Sequence, residues 1–88
     1  MNFEWDEKKN NANIAKHGIS FDVAMQAFLD TNRRIRLNSK HSSTELRYYC
    51  PGKVNERILT VRFIIRNGKI RIIGAGYWRE GRKIYEKE

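Results

Sequence analysis

The 88-residue sequence is poor in residues that build covalent or metal-bound frameworks: it has one cysteine, Cys50, and two histidines, His17 and His41. A lone thiol excludes an internal disulfide, and one thiol with two distant imidazoles offers no metal-site spacing. Cys50 reads as a small strand residue. No window approaches the ~18 consecutive apolar residues of a membrane span, and the opening MNFEWDEKK lacks the basic-then-apolar order of a signal peptide. The expected address is cytoplasmic, with no membrane partner. Glycine-rich nucleotide motifs, a nucleophile elbow, HExxH and paired metal carboxylates are absent too. That removes the enzyme classes built on them and leaves no cofactor or metal to expect.

Acidic residues are the other scarcity. Ten Asp and Glu face eighteen Lys and Arg, a formal net charge of +8. Residues 1–30 carry three lysines against five acids, whereas residues 31–88 carry fifteen basic residues against five acids. The basic character therefore belongs to the second half. Such a surface attracts nucleic acid, acidic protein or anionic lipid, and charge alone does not choose among them.

What is present suffices for a fold. A 40% hydrophobic content with two Trp, four Phe and four Tyr argues for a folded globule, and the length for one domain over residues 1–88. Asp6 reads as a helix cap with Glu7 in the first turn, and Gly18 as a left-handed helix end. Between them Ala12 and Ala15 make only a narrow stripe, with Trp5 or Ile14 near its edges, so this helix should be largely exposed. Ser20 caps a second helix, with Ile19 stapled on Ala24 and with Phe21, Ala24, Met25, Phe28 and Leu29 along one face. RRIRL, residues 33–37, reads as a short strand whose arginines flank a buried Ile35 and Leu37. ELRYYC alternates Leu46, Tyr48 and Cys50 against Arg47 and Tyr49 and is expected to stop at Pro51-Gly52.

The pair Asn67-Gly68 between RILTVRFIIR and KIRIIGAG is the preferred centre of a two-residue type I′ hairpin. Its register sets Arg66 opposite Lys69, Ile65 opposite Ile70, Ile64 opposite Arg71 and Phe63 opposite Ile72. Continued, it sets Arg62 opposite Ile73, Val61 opposite Gly74 and Thr60 opposite Ala75. One face, with Ile65, Ile70, Phe63, Ile72 and Val61, should pack on the second helix. The other gathers Arg62 and Arg71 among Ile64, Ile73, Thr60 and Ala75, and Arg34 and Arg36 can extend it. The expected class is α+β: two N-terminal helices, a three- or four-stranded antiparallel sheet and a short C-terminal helix docked by Trp78, Gly81 and Tyr85.

Clustered arginines suit phosphate oxygens and the extra negative charge of a phosphoryl transition state; they also simply solubilise a sheet face. Arg62 and Arg71 on adjacent strands repel unless an anion or carboxylate joins them. His17, just before Gly18, is a helix cap, a general acid or a phosphate contact. His41 lies among Lys40, Ser42, Ser43 and Thr44, followed by Glu45 and Arg47; Glu45 is either a base for a ribose hydroxyl or the partner of an arginine. The enzymatic reading left open is metal-free RNA cleavage, in which the ribose 2′-hydroxyl is the nucleophile. Its catalytic candidates are His17, His41, Glu45, Arg62 and Arg71. Its RNA-contact candidates are Arg34, Arg36, Lys40, Arg47, Tyr77, Arg79 and Arg82.

FEWDEKKNNANIAKHGISFDVAMQAFLD, KHSSTELRYYCPG and RILTVRFIIRNGKIRIIGAGYWREGRKIYE together resemble the BrnT family of bacterial type II toxins over nearly the whole chain. The resemblance implies a fold related to RelE-type ribonucleases and RNA cleavage that arrests translation. It further implies neutralisation by a BrnA-like ribbon-helix-helix antitoxin, and operator DNA bound only through the toxin–antitoxin complex. It places Trp5 and Lys8 in the N-terminal family motif, His17 before the helix-ending glycine, His41, Glu45 and Arg47 in the loop-to-strand motif, and Arg71 on the last strand. Where many relatives end that strand I-S-A-R followed by a basic residue, this chain continues from Ile73 with Gly74-Ala75-Gly76-Tyr77, so a basic side chain expected at position 76 is missing. A non-catalytic antitoxin-binding or nucleic-acid-binding module on the same fold is the alternative.

Overall fold

The computed structural model describes residues 1–41 and 44–87, with His41 by its backbone alone. Ser42, Ser43 and the His41 side chain lie outside the described residues. In chain order the elements are β1 (Phe3–Trp5), α1 (Glu7–His17), α2 (Phe21–Ala24) continued by a 3-10 turn (Met25–Leu29), and β2 (Arg36–Leu37). A second 3-10 turn (Ser39–His41) leads to β3 (Tyr48–Val54), β4 (Arg57–Arg66), β5 (Lys69–Gly76) and α3 (Arg79–Glu86). The strands form one sheet in the order β1-β5-β4-β3-β2. The class is α+β, but the expected antiparallel sheet of three or four strands is a mixed one of five. The added strand is β1, parallel to β5. Its alternation was hidden inside FEW: Phe3 packs edge-on to Phe28 and Trp5 edge-on to Phe21, while Glu4 points to the other face and reaches Arg71 at 3.3 Å. Trp5 is thus a strand residue, not a member of a helical stripe.

Both expected helix starts are present. Asp6 accepts the Lys8 amide, Gly18 ends α1 in the left-handed region, and Ser20 accepts the Val23 amide. The buried face of α1 is different from the expected one. Ala12 and Ala15 are exposed, and the helix buries Asn10 and Asn13 instead. Asn13 meets β5 where β1 has ended: its carboxamide nitrogen donates to the Ala75 carbonyl at 3.0 Å, and its oxygen accepts the Ala75 amide at 3.2 Å. The same nitrogen donates to the Ile19 carbonyl at 2.9 Å. One side chain therefore completes the ladder of a sheet edge and fixes the bend between two helices. Asn10 accepts the Phe21 amide at 2.8 Å and so holds the start of α2.

After Ala24 the helix tightens to a 3-10 turn, and the periodicity changes from 3.6 to 3. Phe21, Ala24 and Ala27 then share the buried side with Phe28, whereas Leu29, expected in the core, is 74% exposed. β3 lies close against this turn: a Cβ at Gly52 would fall 2.2 Å from the Ala27 carbonyl oxygen. The strand runs through Pro51-Gly52 instead of stopping there. Pro51 accepts the Arg34 amide on its outward side, and its missing N–H points to that same side, so no bond to β4 is lost. β2 is shorter than expected, and Ile35 and Leu37 are exposed, because neither helix reaches across the sheet to cover them. Ile65, expected under the second helix, is 55% exposed for the same reason. Burial pushes the Cys50 thiol up to about 12, as befits a core residue.

Two tight turns organise β3, β4 and β5. Asn67 and Gly68 both have positive φ, and Arg66 pairs with Lys69, as a type I′ hairpin requires. Asn55 and Glu56 make a second such turn, with Val54 opposite Arg57, without any glycine to signal it. The β4–β5 register follows the expected one from the turn to Phe63 opposite Ile72, then slips by one residue. Ile73 is the extra residue of a bulge, so Arg62 pairs with Gly74, Val61 with Ala75 and Thr60 with Gly76. Ala75 is thereby turned into the core beside Val61. α3 lies on the opposite face, where a Cβ at Gly81 would overlap the Thr60 hydroxyl. Its other anchor is Tyr85, which donates to Asp30 at 2.5 Å.

Asn13→Ala would leave the Ala75 amide and carbonyl without partners in a buried place; a loss on the order of 2 kcal/mol is expected in urea unfolding. Asp30 titrates in a way that also bears on stability. Partial burial works to raise its pKa, but hydrogen bonds from Tyr85 and from the Lys53 and Asn32 amides outweigh that and hold it below its ordinary 3.8. Its contribution is therefore complete above that value and is lost as pH falls through the depressed folded pKa. The expected result is that Asp30→Asn narrows its stability gap to the unmodified chain as pH is lowered toward 2.5 in denaturant titrations.

Candidate active site

The outer face of the sheet, opposite α2, carries the basic residues. Strand pairing puts Arg36, Tyr49, Arg62 and Gly74 in one row across β2, β3, β4 and β5. Ile64, Arg71 and Glu4 form the next row across β4, β5 and β1. One end of this face is closed by α3 on Thr60. The other end is open as a groove of about 320 Å³ lined by Lys9, Asn38, Glu45, Arg47, Arg62, Ile64, Arg66, Arg71 and Ile73. Ile64 is buried and Ile73 half-buried, so the cations stand on an apolar floor that strengthens their interaction with an anion relative to open water.

The bulge fixes the position of Arg62. With Ile73 inserted, Ile73 lines the groove while Gly74 faces Arg62, where a Cβ would lie 3.0 Å from the guanidinium. On its other side Arg62 sits 4.5 Å from the centre of the Trp78 ring. The Trp78 indole in turn occupies the space that a side chain at position 76 would fill, 2.7 Å from the Cβ site of Gly76. The missing basic residue at position 76 thus has a steric reason. Glycine at 74 and 76 lets an indole and a guanidinium lie flat on the strand. Arg62 Nε is buried and has no hydrogen-bond partner among the described residues.

Two carboxylates balance two of the other arginines. Glu45 receives two bonds from Arg66, at 3.1 and 3.2 Å, and Glu4 pairs with Arg71 at 3.3 Å. The Glu45 contact is solvent-exposed, a kind of ion pair that adds little stability and exchanges readily for another anion. Five basic residues, Lys9, Arg47, Arg62, Arg66 and Arg71, share the groove with one lining carboxylate, Glu45.

The candidates from the sequence fall into separate places. Glu45, Arg47, Arg62 and Arg71 come together in the groove. Arg34, Arg36 and Lys40 line an adjoining recess that shares Asn38 with it. His17 is outside the groove; its ring stands edge-on to Trp78 at 5.5 Å. Lys8 is exposed at the start of α1, and its neighbour Lys9 enters the groove. Tyr77 lies under Arg57 at 3.6 Å, and both line a different recess with Arg82. Arg79 is exposed in the first turn of α3. Arg66 was missed although the hairpin register puts it two residues from Ile64 on the same face. Lys9 and Trp78 carried no such signal, since their positions depend on how α1 and α3 pack.

A small α+β chain that gathers five cations on an open sheet face presents a site for an anionic partner. A family model described as the ribonuclease toxin BrnT of type II toxin-antitoxin systems matches residues 5–81, and the chain belongs to that family. The family's class carries with it an antitoxin partner and an RNA target. A comparison with curated proteins finds no match. Among the described residues no helix is long and apolar enough to cross a membrane.

Gly76→Arg supplies the basic side chain expected at this position but drives it into the indole. The expected outcome is a Trp78 displaced into water, read as a red-shifted fluorescence maximum, together with a loss of unfolding free energy of about 1–3 kcal/mol.

Proposed function

We propose that residues 1–88 form one toxin domain related in fold to the RelE-type ribonucleases, an endoribonuclease that arrests translation by cutting RNA without a metal. The observation that carries this reading is the convergence of Arg47, Arg62, Arg66, Arg71 and Lys9 on one groove in a chain of a ribonuclease toxin family. In the proposed reaction the ribose 2′-oxygen attacks the neighbouring phosphorus and the bond from phosphorus to the 5′-oxygen breaks. A 2′,3′-cyclic phosphate and a 5′-hydroxyl result. A base takes the 2′-proton and an acid supplies one to the leaving 5′-oxygen. Arg62 and Arg71 neutralise the charge that builds on the phosphate, with the Trp78 stack holding Arg62 in place before substrate arrives. Glu45 takes the proton once RNA phosphate has drawn Arg66 away from it, and His41 is the candidate acid. His17 acts at one remove, through the indole it supports.

The proposed partner is a BrnA-like antitoxin with a ribbon-helix-helix DNA-binding region, and operator DNA is reached only through that complex. The second reading, a binding module without catalysis, is favoured by Gly76, where the family's basic side chain is replaced by an indole. The two separate in one assay. Purified chain incubated with cellular RNA in chelator is expected to leave 2′,3′-cyclic or 3′-phosphate ends, and Arg71→Ala to lose activity by about tenfold or more while staying folded. Intact RNA with a folded chain supports the binding module, and cleavage that needs a divalent ion sinks the metal-free mechanism.

A further inference from the structure

The row Arg36–Tyr49–Arg62 sets a tyrosine between two arginines on neighbouring strands, whose backbones run about 4.8 Å apart. The two adjacent tyrosines of β3 face opposite ways. Tyr48 is stacked on Phe63 at 5.3 Å and packs against the core. Tyr49 is half-buried on the outer face and lines two recesses. One, of about 230 Å³, it shares with Arg62, Trp78 and Glu80. The other, of about 690 Å³, it shares with Arg34, Arg36, Lys40 and again Glu80.

A ring flanked by cations is the arrangement by which single-stranded nucleic acid is held without a fixed sequence: the base stacks, and the phosphates on either side meet the charges. Glu80 refines the assignment. It is the carboxylate common to both recesses, so it repels a phosphate from the space beside Tyr49 and leaves that space to a neutral base. It is also an acceptor for the exocyclic amino group of such a base. The phosphates are directed outward, to Arg62 on one side and to Arg36 and Lys40 on the other.

We propose that Tyr49 stacks one nucleoside of a single-stranded RNA, whose two flanking phosphates are held by Arg62 and by Arg36 with Lys40. The subsite sets which nucleotide lies beside the scissile bond, and in that role it rests on the ribonuclease reading of Arg62. Its minimal ligand is a nucleoside 3′,5′-bisphosphate, which has the base and both phosphates but no bond to cut.

Adenosine 3′,5′-bisphosphate and its abasic analogue, titrated calorimetrically into the intact chain, test this whether or not RNA is cleaved. The base-bearing probe is expected to bind about tenfold tighter. Tyr49→Phe should keep that margin, and Tyr49→Leu should erase it while binding the abasic probe unchanged. Arg36→Ala should weaken both probes by about tenfold. Equal affinity of the two probes for the unmodified chain, or a full margin in Tyr49→Leu, overturns the subsite. If Tyr49→Leu does not fold, the two probes on the unmodified chain decide the matter. Absence of RNA cleavage with the margin intact removes the ribonuclease reading and leaves the nucleotide site standing.

Discussion

One inserted residue, Ile73, governs how the two faces of this sheet are used. Without the bulge, Ala75 would point outward, and Gly74 and Gly76 would point into the core, where a missing side chain leaves a void. With it, Ala75 fills the core beside Val61 while both glycines turn to the outer face. The flat strip of backbone they make is where Trp78 and Arg62 lie. A shift of one position in strand pairing exchanges every side chain between faces, and here that exchange separates a packed interior from a cationic surface within a single strand.

The cations on that surface are held in two different ways. Arg62 is fixed by shape, against Gly74 and the Trp78 indole. Arg66 and Arg71 are fixed by carboxylates, Glu45 and Glu4, that an incoming phosphate has to displace. Mutual repulsion among arginines is thereby relieved without closing the groove. The cost falls on Arg62, whose buried Nε lacks a hydrogen-bond partner among the described residues and which gains most from an arriving anion.

Local chemistry made much of this readable in advance. The Asn67-Gly68 turn fixed the near half of the hairpin register and paired Ile64 with Arg71. The caps Asp6, Gly18 and Ser20 marked the helices, and alternation separated Tyr48 from Tyr49. What escaped depended on contacts distant in sequence. A bulge has no composition of its own beyond a glycine that also occurs in plain strands. Asn10 and Asn13 look like surface residues until a helix start and a sheet edge need their amides. The three residues of β1 are too few to show a period, and the 3-10 turn after Ala24 lies where β3 approaches closely at Gly52, a contact distant in sequence. In the site, hairpin residues were foreseeable, whereas Lys9 and Trp78 depended on how the helices dock.

The position of Trp78 links the site to α3. α3 is held where Gly81 meets Thr60 and where Tyr85 reaches Asp30. Short helices on the surface of a fold are among the parts that open before the core melts. Each such opening would take the indole away and release Arg62 from its fixed rotamer. The readiness of the arginine is then a property of α3 docking, a fraction of time rather than a fixed geometry, and whatever grips or pulls that helix would set it.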